Sequence, residues 1–571
     1  MSWPPRVARS APLVFLLALL AAWGGWIVYR TSFVVDGHRW FVLFDDAMIS
    51  MTYARNLVEG HGLAWARWGA PVEGFTHPLW TFLMIPVNAL PLALWSRSLI
   101  VQIGSLLTLL GTAVAARRLM LDHFAPEGAR HWLPAAVLTA FYYPLAYWAL
   151  MGMETGLQAL LTLAAVHLAL SIVHAGRERS LALWLVCAAA YLLRMDMLLL
   201  VIAVQLYVLL RGGWRAAVRR PGWLAGLALF CGVVGGYELF RWAYFHDLLP
   251  NTYYLKLAGV PLSVRLLRGL LVLTGFVRDH LFLLLAAGLG LAVYPRRNAR
   301  LLLPALVFAL YCAYNVYIGG DSWDGDLPLR ANRFLAFVMP LLFVLLNALL
   351  NEALAAWRER RLRTAADDPA GRFALVGATV AALLLANGLW LSPQADLNWR
   401  LVAGTERPPD VERGSKVVAR LVHFQRLVRP GAVVATAWAG IPAYFTGYRM
   451  IDILGYNDRV VARMGPVVEL DEDSFSLFKP GHVKWDEPRL LSEQRPDAFF
   501  QIWGIRRGMG RVAQVMPAHG YRKVGEFWVR GDSPYIQAPA PSDEPRLAKA
   551  ADVLDLRPRG KQRPPAADPP P

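Results

Sequence analysis

The chain has 571 residues, 56% of them hydrophobic, with a mean hydropathy of +0.38 and a formal net charge of +17. Soluble proteins hold roughly 45–50% apolar residues, so this composition and its repeated apolar runs exclude a wholly soluble chain and indicate a polytopic α-helical membrane protein. The positive charge does not indicate nucleic acid. Arginines punctuate the gaps between apolar runs: Arg117 and Arg118; Arg177 and Arg179; Arg211, Arg215, Arg219 and Arg220; Arg296, Arg297 and Arg300; Arg358, Arg360, Arg361 and Arg363. That is the positive-inside pattern, and the basicity mostly reflects topology.

Residues 12–29 are apolar and long enough to cross a bilayer, which takes about 20 residues. Trp23, Trp26 and Tyr29 close the run where a cleavage site would need small residues, so it reads as a retained first span and not a signal peptide. Placing each arginine cluster on the cytoplasmic side gives further spans near 97–116, 133–150, 157–174, 181–193, 197–211, 222–241, 279–294, 301–318, 333–351 and 372–391. The total is about eleven, with the N-terminus inside and the C-terminus outside. Residues 78–94 are apolar but broken by Pro86 and Pro91, and read as an interfacial or partly inserted segment. Cys187, Cys231 and Cys312 all fall in apolar runs, so neither a disulfide nor a zinc site is expected.

The outer face then collects residues 30–77, the turns at Glu154 and Arg194–Asp196, and the loops 242–278 and 319–332. The organisation expected is a membrane domain over 1–391 with first outer loop 30–77, an outer α/β domain over 392–532, and a Pro-rich disordered tail over 533–571. Within the α/β domain the pattern predicts a helix over 411–428, a strand over 432–436, a short helix near 440–446 and a strand over 449–454.

The first outer loop is the densest in chemistry. Asp45 and Asp46 open a predicted amphipathic helix over 47–58, with Ile49, Tyr53 and Leu57 on one side, suited to lying along the membrane surface. One aspartate satisfies a helix N-terminus; two near a membrane exit exceed that need. The pair could also bind a divalent cation, although two carboxylates alone are a weak metal signal. Arg194, Lys256, Arg330 and Arg333 are cations on a face that the positive-inside rule depletes. They either pair with Asp196, Asp321, Asp324 and Asp326 or bind a phosphate. Gly481-His482-Val483-Lys484-Trp485-Asp486 gathers ionisable groups around a tryptophan, as a ligand edge does. No P-loop lysine motif, dinucleotide-binding glycine pattern, Cys-x-x-Cys array or nucleophile elbow is present.

Several motifs carry a resemblance: Asp45-Asp46, Tyr53-Ala54-Arg55-Asn56-Leu57, Glu59-Gly60-His61-Gly62-Leu63, Val72-Glu73-Gly74, Gly152-Met153-Glu154-Thr155, Leu249-Pro250-Asn251-Thr252-Tyr253-Tyr254, Gly319-Gly320-Asp321 and Gly481-His482. Over most of residues 40–490 the chain resembles the polyprenyl-phosphate-dependent GT-C glycosyltransferases, and most closely their arabinofuranosyltransferase branch, which includes mycobacterial terminal arabinosyltransferases and pilin-arabinosylating enzymes. Met48, Met51, His77 and Arg194-Met195-Asp196 depart from the usual pattern of that branch. The resemblance implies a lipid-phosphate-linked sugar donor, arabinofuranose in that branch, a glycan, lipid or protein acceptor, inversion at the anomeric carbon, and a site on the periplasmic face of a bacterial inner membrane. It assigns Asp45 as the general base, with Asp46 orienting it or holding the acceptor. Arg194, Lys256, Arg333 and, more weakly, Arg55 would bind the donor phosphate. Glu73, His77, Glu154, Asp321, His482 and Lys484 would contact the substrates, with His482 and Lys484 closing the site from the outer domain. A transferase of another lipid-linked pentose or hexose, a lipid-linked-sugar flippase, and a non-catalytic subunit are the rival readings.

Overall fold

A computed structural model describes residues 5–124, 131–293, 299–361, 369–502 and 509–537. The arginines at 296, 297 and 363 and the tail from 538 onward lie outside the described residues. All eleven expected spans coincide with helical segments. Among the described residues seven helices are long and apolar enough to cross a bilayer, from Ala11–Thr31 to Arg333–Trp357. An eighth segment, 133–150, is broken into Leu133–Ala140 and Tyr143–Leu150, bent by 47°. The other three, Ser180–Leu193, Leu281–Val293 and Phe373–Ala386, are shorter apolar helices. The architecture is that of a polytopic helical membrane protein.

The stretch 78–94 forms the 12-residue helix Pro78–Ala89, with proline at its first position, where the missing N–H costs nothing. At 1.5 Å per residue it reaches about 18 Å, short of the roughly 30 Å hydrocarbon core. The loop expected over 242–278 is instead two helices, Asn251–Leu257 and Leu262–Asp279, meeting at 90°. The second has a polar stripe of Arg265, Arg268 and Arg278. Arg268 donates to the carbonyls of Gly319 and Asp321, and Asp279 pairs with Arg330 at 2.9 Å. These contacts hold the helix against the same loop, 319–332, from its middle to its end.

The helix Asp45–Val58 does not lie on a surface. Residues from Ala47 to Ala54 are buried without a break, because Pro78–Ala89 covers one side and the C-terminal domain covers the other. Before it, β1 (Phe33–Val35) and β2 (His38–Trp40) form an antiparallel hairpin. Its Asp36-Gly37 turn has φ of +52° and +78°, the positive pair that a tight two-residue hairpin requires.

The C-terminal domain is built on β3 (Val433–Thr436), β4 (Arg449–Asp452), β5 (Ala498–Phe499), β6 (Tyr521–Val524) and β7 (Phe527–Arg530) in the order β4-β3-β5-β7-β6. β3 runs parallel to β4 and β5; β7 is antiparallel to β5 and β6. The helix Pro409–Leu427 packs its Val417, Val418, Leu421 and Phe424 into the shared core. Residues 533–537, expected to begin a disordered tail, are held against the end of this helix: Arg429 N donates to Tyr535 O and Gln537 N to Leu427 O, both at 2.8 Å.

Bundle and domain interlock through backbone atoms. Trp65 Nε1 donates to Ala439 O at 2.7 Å, and Asn251 Nδ2 donates to the carbonyls of Gly455 and Tyr456 at 2.9 Å. A Cβ added at Gly74 would lie 2.0 Å from Asn457 Oδ1, so glycine is required where the first loop meets the turn after β4.

Candidate active site

A cavity of about 180 Å³ opens where the first loop, the Asn251–Leu257 helix, the 319–332 loop and the C-terminal domain converge. Asp46, His77, Arg194, Lys256, Asp321, Arg333 and Tyr456 are among its walls. The sequence candidates therefore divide into those that line this space and those that do not.

Asp46 lines it. Its carboxylate accepts from Arg333 Nη1 at 2.6 Å. Burial pushes its pKa up, but the charges of Arg333 and Lys256 outweigh that and hold it below the usual carboxylate range. Arg333 also reaches Asp321, with Nε 3.0 Å from Oδ2 and Nη2 3.1 Å from Oδ1. Arg333 thus bridges two carboxylates, and its own charge is balanced.

Lys256 differs. Among the described residues it has no carboxylate within ion-pair distance, and its Nζ sits 6.0 Å from the Tyr456 ring centroid. A half-buried ammonium that faces a cavity and makes no ion pair has its hydrogen-bond donors free for an anionic ligand. Arg194 also lines the cavity but is saturated: it donates to Glu154 Oε1 at 2.7 Å and bidentately to Asp196 at 2.6–3.1 Å. Glu154 is wholly buried behind it, with His77 Nδ1 3.8 Å from its second oxygen. Burial lowers the pKa of His77 against the opposing charge of Glu154; Nε2 meets Ser50 Oγ at 2.6 Å.

Asp45 does not line this cavity. It faces a small separate void of about 20 Å³ with Phe44, Trp323 and Trp438. Its oxygens accept from Ile441 N at 2.8 Å and Gly440 N at 3.2 Å. The side chain caps the short helix Ile441–Phe445 of the C-terminal domain and not its own helix. Burial, reinforced by Asp46, raises its pKa to about 7 despite the two amides. A Cβ at Gly440 would come 1.9 Å from Asp45 O, so the two segments are in direct contact. The pair of aspartates, read in sequence as one unit, is split between two surroundings.

Three further candidates take structural roles. Arg55 donates to the carbonyls of Tyr444 and Thr446 and pairs with Glu59, away from the cavity. Glu73 is buried against Arg241 at 2.6 Å and Tyr237 Oη at 2.5 Å. Lys484 is fully buried and donates to Tyr254 O and Ala462 O at 2.9 and 2.8 Å. It ties the C-terminal domain to the Asn251–Leu257 helix. His482 stays near the site, with ring centroids 6.3 Å from Trp323 and 6.1 Å from Tyr456.

Tyr456, in the stretch Gly455-Tyr456-Asn457-Asp458 whose composition reads as a turn or a binding loop, also lines the cavity. Asp452, at the end of β4, accepts from Leu454 N, Gly455 N, Asn457 N and Asn457 Nδ2 at 2.8–3.1 Å. That carboxylate folds the turn which presents Tyr456 to the cavity. An acid closing a strand before Gly-Tyr-Asn was the available signal.

No cluster of three or more His, Cys, Asp or Glu side chains suited to a metal occurs among the described residues. The guanidinium of Arg333 occupies the position between Asp46 and Asp321 that a bridging cation would need.

Residues 410–542 match a family described as "Domain of unknown function (DUF8728)". No curated protein matches the sequence. Among solved structures, ArnT from Cupriavidus metallidurans in the apo state superposes with a TM-score of 0.52 at 15% identity, over 86% of this chain and 93% of that one. ArnT bound to undecaprenyl phosphate gives 0.48 at 13% identity, over 78% and 86%. The archaeal oligosaccharyltransferase AglB from Archaeoglobus fulgidus, in complex with an inhibitory peptide and a dolichol-phosphate, gives 0.43 at 11%, over 78% and 64%. The first of these shows that the chain shares the overall fold of that membrane protein.

Proposed function

We propose that the protein is an inverting glycosyltransferase that moves a sugar from a polyprenyl-phosphate donor to a cell-envelope acceptor. The observation that carries this reading is one cavity holding a carboxylate, Asp46, together with a cation that makes no ion pair, Lys256. The fold shared with ArnT supports it. The motifs of the first loop point to arabinofuranose as the sugar. The arginine clusters support a periplasmic site, on the side of the membrane opposite to them.

In this reading Lys256 holds the donor phosphate. The acceptor hydroxyl approaches the anomeric carbon from the face opposite the phosphate. Its oxygen bonds to that carbon as the carbon–oxygen bond to phosphate breaks, and its proton passes to Asp46. Polyprenyl phosphate departs with the bonding pair, and Lys256 neutralises the added charge. The single displacement inverts the centre. The base is assigned to Asp46 and not Asp45 because a base must first be within reach of the proton it takes. Asp45, facing the other way, fastens the C-terminal domain over the site.

The test is sugar transfer in nanodiscs from polyprenyl-phosphate-arabinofuranose, comparing wild type, Asp46→Asn, Asp45→Asn and Lys256→Met. Transfer or donor hydrolysis by wild type and Asp45→Asn, with none by Asp46→Asn, supports the reading. An inert wild type removes the arabinose donor and sends the test to other lipid-phosphate pentoses and hexoses. Equal activity of Asp46→Asn and wild type removes Asp46 as the base.

A further inference from the structure

A second polar surface lies away from the cavity, beside the β1–β2 hairpin. An open groove of about 420 Å³ runs between this hairpin and the helix Pro409–Leu427, lined by Val34, Arg39, Arg407, Ser415 and Lys416. Arg39 and Arg407 are exposed, and among the described residues neither has a carboxylate partner. Lys416 has one, Glu412, at 3.1 Å. The groove therefore carries net positive charge on a face that the positive-inside rule depletes of cations.

Its depth relative to the bilayer can be fixed from the chain. The first span ends at Thr31, and its last turns expose Trp26 and Tyr29, at 43% and 51%. Such aromatics mark the headgroup level. Both arginines converge on the residue that follows: Arg39 Nη1 donates to Ser32 Oγ at 2.8 Å, and Arg407 Nη2 to Ser32 O at 3.5 Å. The Arg39 guanidinium also lies 4.8 Å from the Tyr29 ring centroid. The cations are thus pinned at the membrane exit, and Val34 beside them is 59% exposed. Guanidinium forks match phosphate oxygens bidentately, and an exposed valine at the same level suits the glycerol and upper acyl region of a lipid.

We propose that this groove binds the phosphate headgroup of an anionic membrane lipid, with Arg39, Arg407 and Lys416 as its ligands and Val34 against the start of the acyl chains. The site is independent of the transfer reaction proposed above, because none of its residues lines the Asp46 cavity. It keeps the hairpin and the N-terminal part of the Pro409–Leu427 helix seated on the bilayer.

The test uses the full-length protein and native mass spectrometry after incubation with phosphatidylglycerol or phosphatidylcholine. Wild type should retain a phosphatidylglycerol adduct that phosphatidylcholine does not give. The triple variant Arg39→Gln/Arg407→Gln/Lys416→Gln should bind it roughly tenfold or more weakly, since each cation near an anionic surface is worth about fivefold. The control variant Arg522→Gln/Lys523→Gln, which removes exposed charge elsewhere on the domain, should bind as wild type. Equal retention by wild type and the triple variant overturns the proposal, as does equal weakening by the control. Displacement of the lipid by millimolar inorganic phosphate also overturns it, because the occupant would then be a soluble anion.

Discussion

Two buried charge clusters lie on either side of the first loop, and they are built to opposite specifications. Around Glu73, the carboxylate meets Arg241 and Tyr237, and Arg241 also meets Glu238; the group closes on itself. Around Asp46, the carboxylate meets Arg333 and Arg333 meets Asp321, while Lys256, which offsets the second carboxylate, makes no ion pair and faces a cavity. A closed cluster has spent its contacts on the fold. An open one keeps a charge free to contact a ligand, at a standing cost in desolvation. The cation without a contact partner, more than burial or charge count, separates the site from the scaffold.

The largest effects should come from breaking each cluster at its centre. Asp46→Asn should lower kcat by roughly 100- to 10,000-fold, the usual worth of a general base, with the melting temperature little changed. Arg241→Met should do the reverse. It strands Glu73 in the interior and should cost about 3–5 kcal/mol of stability, read as a fall in melting temperature in detergent, with residual activity following the folded fraction. Lys256→Met should lower kcat/KM for the lipid-phosphate donor by roughly 100-fold or more without lowering the melting temperature, and Lys256→Arg should restore part of it. If Lys256→Met only unfolds the protein, the comparison collapses. Lys484→Met sharpens it further: two carbonyls lose their donor, so about 1–3 kcal/mol of stability should go, with donor KM unchanged.

The smallest expected effect concerns Asp45. Its pKa is raised to about 7 in the folded protein from an ordinary value of 3.8, so the folded state holds the proton more tightly than the unfolded one. That contribution is complete below about pH 4 and is lost as pH rises through 7. Asp410 and Asp452, both raised to about 6 by burial, act in the same direction. Stability measured from pH 4 to pH 8 should therefore fall less steeply in Asp45→Asn than in wild type. An unchanged slope would show that Asp45 is not buried against the domain.

Much of the membrane part was legible because a span announces itself through composition alone. Residues 97–116 and 222–241 need no partner to be recognised as bilayer-crossing, and both sit inside long apolar helices. The parallel pair β3 and β4 was legible for a similar reason: short β-branched runs framed by turn residues. β6 and β7 were missed, because Tyr521–Val524 and Phe527–Arg530 mix charged and apolar residues on a half-buried sheet. The β1–β2 hairpin was also missed, although Asp36-Gly37 between extended residues is a strong hairpin signal. The surface placement expected for Asp45–Val58 failed because periodicity shows that a helix has two faces and not whether the polar one is covered.

The sequence by itself determined that the chain spans a membrane and that Asp45-Asp46 opens a helix in the first loop. Local composition sets both. Only the tertiary structure decided which carboxylate faces the cavity, since adjacent residues on a helix point about 100° apart and residues far along the chain claim each direction: Gly440 and Ile441 for Asp45, Arg333 for Asp46. It likewise decided that Arg55, Glu73 and Lys484 hold the scaffold while Lys256 remains without an ion pair. A charge shows itself in the sequence, but whether it is balanced depends on neighbours that folding brings from hundreds of residues away.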